Sequence, residues 1–251
     1  MTSTTHGFGI DIGGSGIKGA PVDLAEGAFA DDRVRIDTPE PSTPDNVLDV
    51  VLEILARFEW RGAFGCTFPG IVRNGVIGSA ANVDDAWLDF PLEKVLRERT
   101  SQQVVVVNDA DAVGVAEDQR GAAADVDGLV IVTTLGTGIG SALLHHGQLL
   151  PNTEFGHLYL ANGQETEHWA AASVRKDEDL SWAAWAQRLQ DFYAHLEFIF
   201  SPDLFVVGGG VSKKADRFLP LLDLQTPIVP AVLRNDGGII GAAMLAAERF
   251  T

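Results

Sequence analysis

The stretch DIGGSGIKGA, residues 11–20, follows a β-rich apolar run at Phe8–Ile12 and leads into Pro21–Leu24. It reads as a strand, a glycine turn and a returning strand. A turn so rich in glycine exposes backbone N–H groups and lets them approach an anion. The spacing is not that of a P-loop, G-x-x-x-x-G-K-[ST]. Nor is it a dinucleotide fingerprint, because Gly14–Gly19 runs on into strand-like sequence. On spacing alone a structural hairpin and a phosphate-binding loop stand level. Asp11 has the chemistry to hold Mg2+ through water. Lys18 can meet a phosphate or stand as a solvated lysine.

A second stretch, TLGTGIGSAL at residues 134–143, repeats the pattern after an apolar strand at Leu129–Leu135. Gly136, Gly138 and Gly140 alternate, which bares one strand face beside the hydroxyls of Thr134, Thr137 and Ser141. The competing reading is a strand packed tightly on another backbone. Gly13 and Gly136 lie 123 positions apart (136 less 13), close to half of the 251 residues. Two such turns, each opening an αβ-rich half, point to duplicated lobes facing a cleft.

Between and beyond these turns the pattern is α/β. Residues 43–58 predict a helix, with Thr43 as N-cap and Pro44 at the first helical position. Val47, Val50, Val51, Ile54, Leu55 and Phe58 recur there with helical period. Strands are expected at Phe64–Thr67, Val104–Val107 and Leu204–Val207, the last ending in Gly208–Gly210. Helices are expected at Pro91–Arg99, after Asn108, from Ser181 to Phe200, at Ser212–Leu222 and at Gly238–Phe250. The expected division puts residues 6–107 with 238–251 in a smaller N-terminal lobe and 108–237 in a larger one.

Composition narrows the function. The net charge is −17, from 18 basic and 35 acidic side chains, which argues against nucleic acid or an anionic membrane as a partner. The single cysteine, Cys66, allows no internal disulfide and no cysteine-based zinc site. MTSTTHGFGIDIGG has no signal-peptide pattern, and apolar runs such as Val104–Val107 are far short of the ~20 residues that span a bilayer. A cytoplasmic protein is expected.

Further polar residues sit where α/β proteins do chemistry. Asn108 and Asp109 directly follow a buried strand, at the end where ligands bind open sheets. A carboxylate there can accept a hydroxyl proton while the amide orients the acceptor. Taken alone, Asp109 reads as a helix N-cap, a task open to Asp111 as well. In NTEFGHL, Glu154 and His157 can grip adjacent hydroxyls, and a metal reading fails for want of further ligands at zinc spacing. Asn82 and Asp84 offer similar side chains. Basic residues cluster late, at Arg175, Lys176, Lys213, Lys214, Arg217 and Arg234. Those beside Gly209 form a strip along which a donor tail could pass.

These motifs together, with SPDLFVVGGGVSKKAD and TPIVPAVLRNDGGIIGAA, resemble the polyphosphate glucokinases of the ROK family along nearly the whole chain. The resemblance implies a two-lobed actin-like (hexokinase-like, ribonuclease H-like) fold with duplicated domains and a central cleft. It implies phosphoryl transfer from inorganic polyphosphate, in some members also ATP, to the 6-hydroxyl of glucose; some relatives accept mannose. Mg2+ and a homodimer are expected on the same ground. Asp109 matches the general base, and Asn82, Asn108, Glu154 and His157 match sugar-binding residues, with the last carboxylate placed at Glu167. Asp11, Gly13, Gly14 and Lys18, with the intervening Ser15 and Gly16, match the first phosphate segment. Thr134, Gly136, Thr137 and Gly138 match the second, and Gly209, Lys213 and Lys214 extend the donor side. The cysteine-rich zinc loop of most ROK proteins is missing, so no zinc is expected. Where the subgroup has Leu-Glu after the histidine, this chain has Leu158-Tyr159.

Three other readings compete. An ATP-only glucokinase has the same fold. A sugar-sensing ROK repressor would carry an N-terminal helix-turn-helix, whereas the strand leading to Asp11 begins within ten residues of Met1. An acylamino-sugar kinase usually keeps the zinc loop.

Overall fold

In the computed structural model, which describes residues 6–79 and 83–250, the run before the first glycine turn is strand β1, His6–Gly13. Next come β2 (Gly16–Asp23), β3 (Ala28–Phe29), β4 (Val34–Ile36), α1 (Pro44–Arg57), β5 (Phe64–Phe68), β6 (Val72–Arg73) and β7 (Val76–Ile77). Then follow α2 (Leu92–Thr100), β8 (Val104–Asn108), α3 (Asp109–Arg120), β9 (Leu129–Leu135), β10 (Ile139–His145) and β11 (Gln148–Leu150). The chain continues through α4 (Thr166–Ala170), α5 (Ala172–Asp177), α6 (Trp182–Phe200), β12 (Leu204–Gly208), β13 (Ile228–Pro230) and α7 (Gly237–Phe250). Contacts divide it into two units, Met1–Ala116 with Asp236–Thr251 and Glu117–Asn235. That division falls inside α3, whereas the sequence places the lobe boundary at 107/108. The first half of α3 stays with the first unit because Ala112 and Val113 pack on Gly241 and Gly237 of α7.

In the first unit the strand order is β3-β2-β1-β5-β8, with β4 also on β2. The β1–β2 pair is antiparallel; β1–β5 and β5–β8 are parallel. Strand alternation sorts β1 by face. Phe8, Ile10 and Ile12 enter a core with Val47, Leu48, Val51, Ile54 and Leu55 of α1. Gly7 and Gly9 instead meet α7. A Cβ on Gly9 would lie 1.8 Å from the Ile239 carbonyl oxygen, and one on Gly65 the same distance from that of Ala242. Only a strand without side chains admits a helix so near. The helix answers with small residues of its own, Gly237, Gly238, Gly241, Ala242, Ala243 and Ala246, all buried.

The second unit repeats the plan, with order β11-β10-β9-β12-β13. Again the first pair, β9–β10, is antiparallel, and β9–β12 and β12–β13 are parallel. The duplication suggested by two glycine turns is thus a duplication of sheet topology. Trp185, Leu189, Phe192, Tyr193 and Leu196 of α6 pack on Ile131, Leu135, Phe205 and Val207. Buried Tyr193 resolves its hydroxyl on Thr133 at 2.7 Å, as an aromatic hydroxyl must in a core. Buried Glu117 accepts from the N–H groups of Ala122, Val232 and Leu233, which ties the end of α3 to the 231–234 loop. No helix among the described residues is long and apolar enough to cross a membrane.

Three local expectations change. The return strand β2 begins at Gly16, straight after a Gly14-Ser15 turn, rather than near Pro21. Thr43 precedes α1 without a side-chain cap, its carbonyl instead receiving the Val47 N–H at 3.1 Å. Ser181 does cap α6, through Ala184 N–H at 3.2 Å. The helix expected over 212–222 is a 3-10 run, Gly210–Arg217, non-helical at Lys214, and a 3-10 turn at Leu219–Leu221. Pro220 lacks an N–H and restricts Leu219 before it, so an α-helix cannot run through.

Replacing Gly65 by alanine forces α7 off the sheet. Gly65→Ala is expected to cost about 1–3 kcal/mol or more, read as a lower urea midpoint; an unchanged midpoint would show that α7 does not depend on this approach.

Candidate active site

The site residues of the first unit follow from sheet register. Asp11 stands opposite Lys18 on β2 and beside Thr67 on β5. Its Oδ2 accepts from Lys18 Nζ at 3.0 Å and its Oδ1 from Thr67 Oγ1 at 2.9 Å. Being odd-numbered like Gly7 and Gly9, Asp11 faces α7: a Cβ on Gly238 would lie 3.4 Å from Asp11 Oδ1. A carboxylate beside the first turn of a helix is stabilised by the helix dipole. The neighbouring Cys66 is fully buried, and burial together with Asp11 pushes its thiol well above the ordinary range, so it is not a nucleophile.

The Gly13–Gly16 turn is braced from β4 and beyond. Arg35 Nη2 donates to Ser15 O at 2.7 Å while its Nη1 meets Asp37 at 2.5 Å, and Thr38 Oγ1 donates to Gly13 O at 2.5 Å. Carbonyls are thereby drawn to protein donors, and a Cβ on Gly14 would meet nothing within 4 Å. The tip of the turn is open to a ligand.

At the carboxyl end of β8, Asn108 carries the turn into α3. Its Oδ1 accepts from Ala110 and Asp111 N–H at 2.8 and 3.1 Å, and its Nδ2 donates to Gly70 O at 3.1 Å. Asn108 is therefore the helix cap that the sequence offered to Asp109 or Asp111. Asp109 Oδ1 also accepts the Ala110 N–H, at 2.9 Å, from a half-buried position. Asp11 shares a cross-sheet row with Val107, two strands away, roughly 10 Å at ordinary strand spacing. Asp109 lies two residues further along that edge. Asn82 falls outside the described residues, and Asp84 caps a 3-10 turn through Ala86 N–H at 2.9 Å.

In the second unit the Gly136–Gly138 turn closes on itself through Gly136 N–H to Gly138 O at 3.0 Å. Ser173 clips α5 to it, by N–H to Gly136 O at 3.1 Å and Oγ to Thr137 O at 2.6 Å. Gly209, with φ at +79°, packs on Leu135 at the other side; its Cβ would lie 2.3 Å from Leu135 O. Glu154 and His157 flank a 3-10 turn, and Gly156 between them passes so near β10 that a Cβ would lie 2.4 Å from Ile139 O. Lys213 and Lys214 are exposed on the 3-10 run after Gly209.

The residue that sequence reasoning missed is Glu165. A backbone bridge between Tyr159 and Glu165 folds the loop back, so that Glu165 Oε1 meets His157 Nδ1 at 2.5 Å. Glu167, one turn-start later, lies against the glycine turn instead, with Ile139 N–H at 3.4 Å from its Oε2. Ligand atoms of His157, Glu165 and Glu167 all lie within 4.8 Å of one another. In three dimensions His157 therefore has two carboxylates as companions, which its local spacing does not show. The bond to Glu165, with help from the Glu167 and Glu154 carboxylates, raises the His157 pKa above its ordinary value, against partial burial. Burial raises Glu154, Glu167 adds to it, and His157 partly offsets it. Loop closure, not local spacing, makes this cluster, so only the backbone bridge could have revealed it.

Comparison with known proteins agrees with this fold. Residues 7–173 match the ROK family. The chain is 48% identical over 251 residues to a polyphosphate glucokinase of Mycobacterium tuberculosis, covering all of this chain and 94% of that one. The crystal structure of the inorganic polyphosphate/ATP-glucomannokinase of Arthrobacter sp. strain KM superposes with a TM-score of 0.92 at 49% identity, covering 98% of this chain and 100% of that one. A ROK family glucokinase from Streptomyces griseus, solved with glucose and AMPPNP, shares the fold at a TM-score of 0.83 and 24% identity, over 97% of this chain and 99% of that one. With this end-to-end likeness and the same sheet plan built twice, the chain belongs to the ROK family.

Proposed function

We propose that this protein is a sugar kinase that moves a phosphoryl group from inorganic polyphosphate, or from ATP, to the 6-hydroxyl of glucose. The observation that carries the reading is the 48% and 47% identity, along the full chain, to two polyphosphate glucokinases. The mannose acceptance named for the Arthrobacter relative is proposed here as well. A homodimer is proposed on the resemblance and is checked by light scattering.

Asp109 is the general base. It takes the proton from the sugar hydroxyl as the oxygen forms its bond to phosphorus and the bond to the bridging donor oxygen breaks. The donor leaves one phosphate shorter. Because Asn108 caps α3, the helix keeps its start when Asp109 changes. Glu154, His157 and Glu167 hold sugar hydroxyls, joined by Asn108 and Asn82. With Nδ1 committed to Glu165, His157 offers a sugar its Nε2 alone. The open Gly13–Gly16 turn presents backbone N–H groups to the donor, the Thr134–Gly138 turn lies on the donor side with its Gly136 N–H already spent on Gly138 O, and Lys18 keeps donors beyond the one spent on Asp11.

Asp11 is the residue that would hold Mg2+. Each of its oxygens already accepts one hydrogen bond, and a carboxylate has about four acceptor positions. That set fits an ion held through water, the usual habit of Mg2+. Bound with the donor, the ion neutralises phosphate charge.

Two outcomes test the roles. Asp109→Asn is expected to keep glucose binding by calorimetry and to lose about 10²–10⁴ in kcat; near-normal kcat would remove Asp109 from the chemistry. The raised His157 pKa gives a pH signature. Its contribution to stability is full below the ordinary histidine value of about 6.5 and fades as pH rises through the higher folded-state value. Glu165→Gln should bring the NMR titration midpoint of His157 down towards 6.5 and raise the KM for glucose. An unmoved midpoint would show that Glu165 does not hold the ring.

A further inference from the structure

We infer that Arg175 and Arg217, gathered on Trp182, form with the neighbouring Lys176 a subsite for the phosphate chain of the donor beyond the phosphoryl group that reacts. The inference rests on the kinase reading above and specifies how the second unit holds an extended donor.

The first observation concerns charge. In a chain of net charge −17, most cations should find carboxylates. Lys18, Arg33, Arg35, Arg57, Lys94, Arg97, Arg99, Arg188 and Arg249 do so. Among the described residues, Arg175, Lys176, Lys213, Lys214 and Arg217, like the scattered Arg61, Arg73 and Arg234, form none of these ion pairs, and the first five lie close in sequence to Asp177 and Asp216. Cations kept from nearby carboxylates in an acidic protein are available to an anionic ligand.

The second observation is placement. Arg175 and Lys176 ride on α5, which Ser173 clips to the Gly136–Thr137 backbone. Arg217, Lys213 and Lys214 ride on the 3-10 run that leaves Gly209, itself packed on Leu135. Both cationic segments are thus anchored at the same glycine turn.

Trp182 joins them. The Arg175 guanidinium carbon lies 4.1 Å from the Trp182 ring centroid and that of Arg217 lies 5.9 Å away. The two guanidinium carbons are therefore no more than 4.1 plus 5.9 Å apart. The ring itself is held by Phe218, 6.1 Å away and nearly parallel at 11°. Two like charges are brought close by cation–π attraction rather than by a shared carboxylate. Both stay positive, Arg175 with one Nη1 bond to Leu180 O at 3.3 Å, so a chain of phosphates that spans the pair meets a guanidinium group at each end. A mononucleotide triphosphate and a long inorganic chain share this chemistry, but only the long chain extends past the first few phosphates.

The test uses the full-length protein with glucose and three donors: long-chain polyphosphate, tripolyphosphate and ATP. For the wild type, kcat/KM for the long chain should exceed that for tripolyphosphate. In the Arg175→Gln/Arg217→Gln variant that ratio should fall at least tenfold. The slope of log KM for the long chain against log salt should also fall by about one to two, following counterion release per lost cation. Filter binding of labelled long-chain polyphosphate should weaken in parallel. Arg217→Gln alone, on an exposed side chain, gives a smaller change of the same sign and serves if the double variant does not fold. An unchanged ratio and slope in a folded variant would overturn the subsite, as would a wild type indifferent to chain length. A fall confined to ATP would assign the cluster to nucleotide instead. Turnover with none of the donors would overturn the kinase reading itself.

Discussion

The backbone-to-backbone approach of α7 to β1 and β5 is the constraint on which the first unit depends. Any side chain at Gly9 or Gly65 would occupy the space of the helix carbonyls. The same close packing continues on the far side of the helix, where Gly241 meets Ala112 of α3. A helix that is buried almost all round must be small all round, and α7 is built of glycine, alanine and isoleucine over most of its buried length. Its first turn is thereby fixed above the row of the sheet that carries Asp11.

That packing explains why one acidic residue can sit at the centre of the sheet. Asp11 continues the glycine face of β1, so its carboxylate emerges under the start of α7, between Lys18 and Thr67. Partial burial of a carboxylate is costly unless it is paired and hydrogen-bonded. Here both conditions are met by the strands on either side. The second unit solves a related problem differently. Its buried charges, such as Glu117, are satisfied by backbone N–H groups, and its site carboxylates approach one another through a folded loop. The resulting cluster lifts the histidine pKa, because the bond to Glu165 and the surrounding carboxylates favour the imidazolium.

An acidic protein that handles polyanions has to separate its long-range field from its local one. The global charge repels phosphate, yet a handful of unneutralised cations acts within a few ångströms, inside the Debye length. Stacking on Trp182 lets two arginines remain close without a carboxylate to share. In the proposed subsite, selectivity for a chain of phosphates would come from the placement of these cations rather than from net charge.

Periodicity and composition alone determined much of this protein. Alternation at Phe8, Ile10 and Ile12, the helical stripe of α1, the capped α6 and the pair of glycine turns were all legible, because each reports a local period or a local turn. The repeat of the turns announced the repeat of the sheet. The ordered motifs also pointed to the family, since several short patterns in sequence are far more specific than any one. What tertiary structure decided was who meets whom. Thr67 reaches Asp11 through parallel strand register, 56 residues away. Asn108, not Asp109, caps α3, because the strand turns into the helix at that residue. Glu165 reaches His157 only when the Tyr159–Glu165 bridge closes the loop, and Arg217 reaches Trp182, 35 residues away in sequence, only because its neighbour Phe218 packs on that ring. Local propensity carries no record of such pairings; they are set by burial and by strand register, which belong to the whole fold.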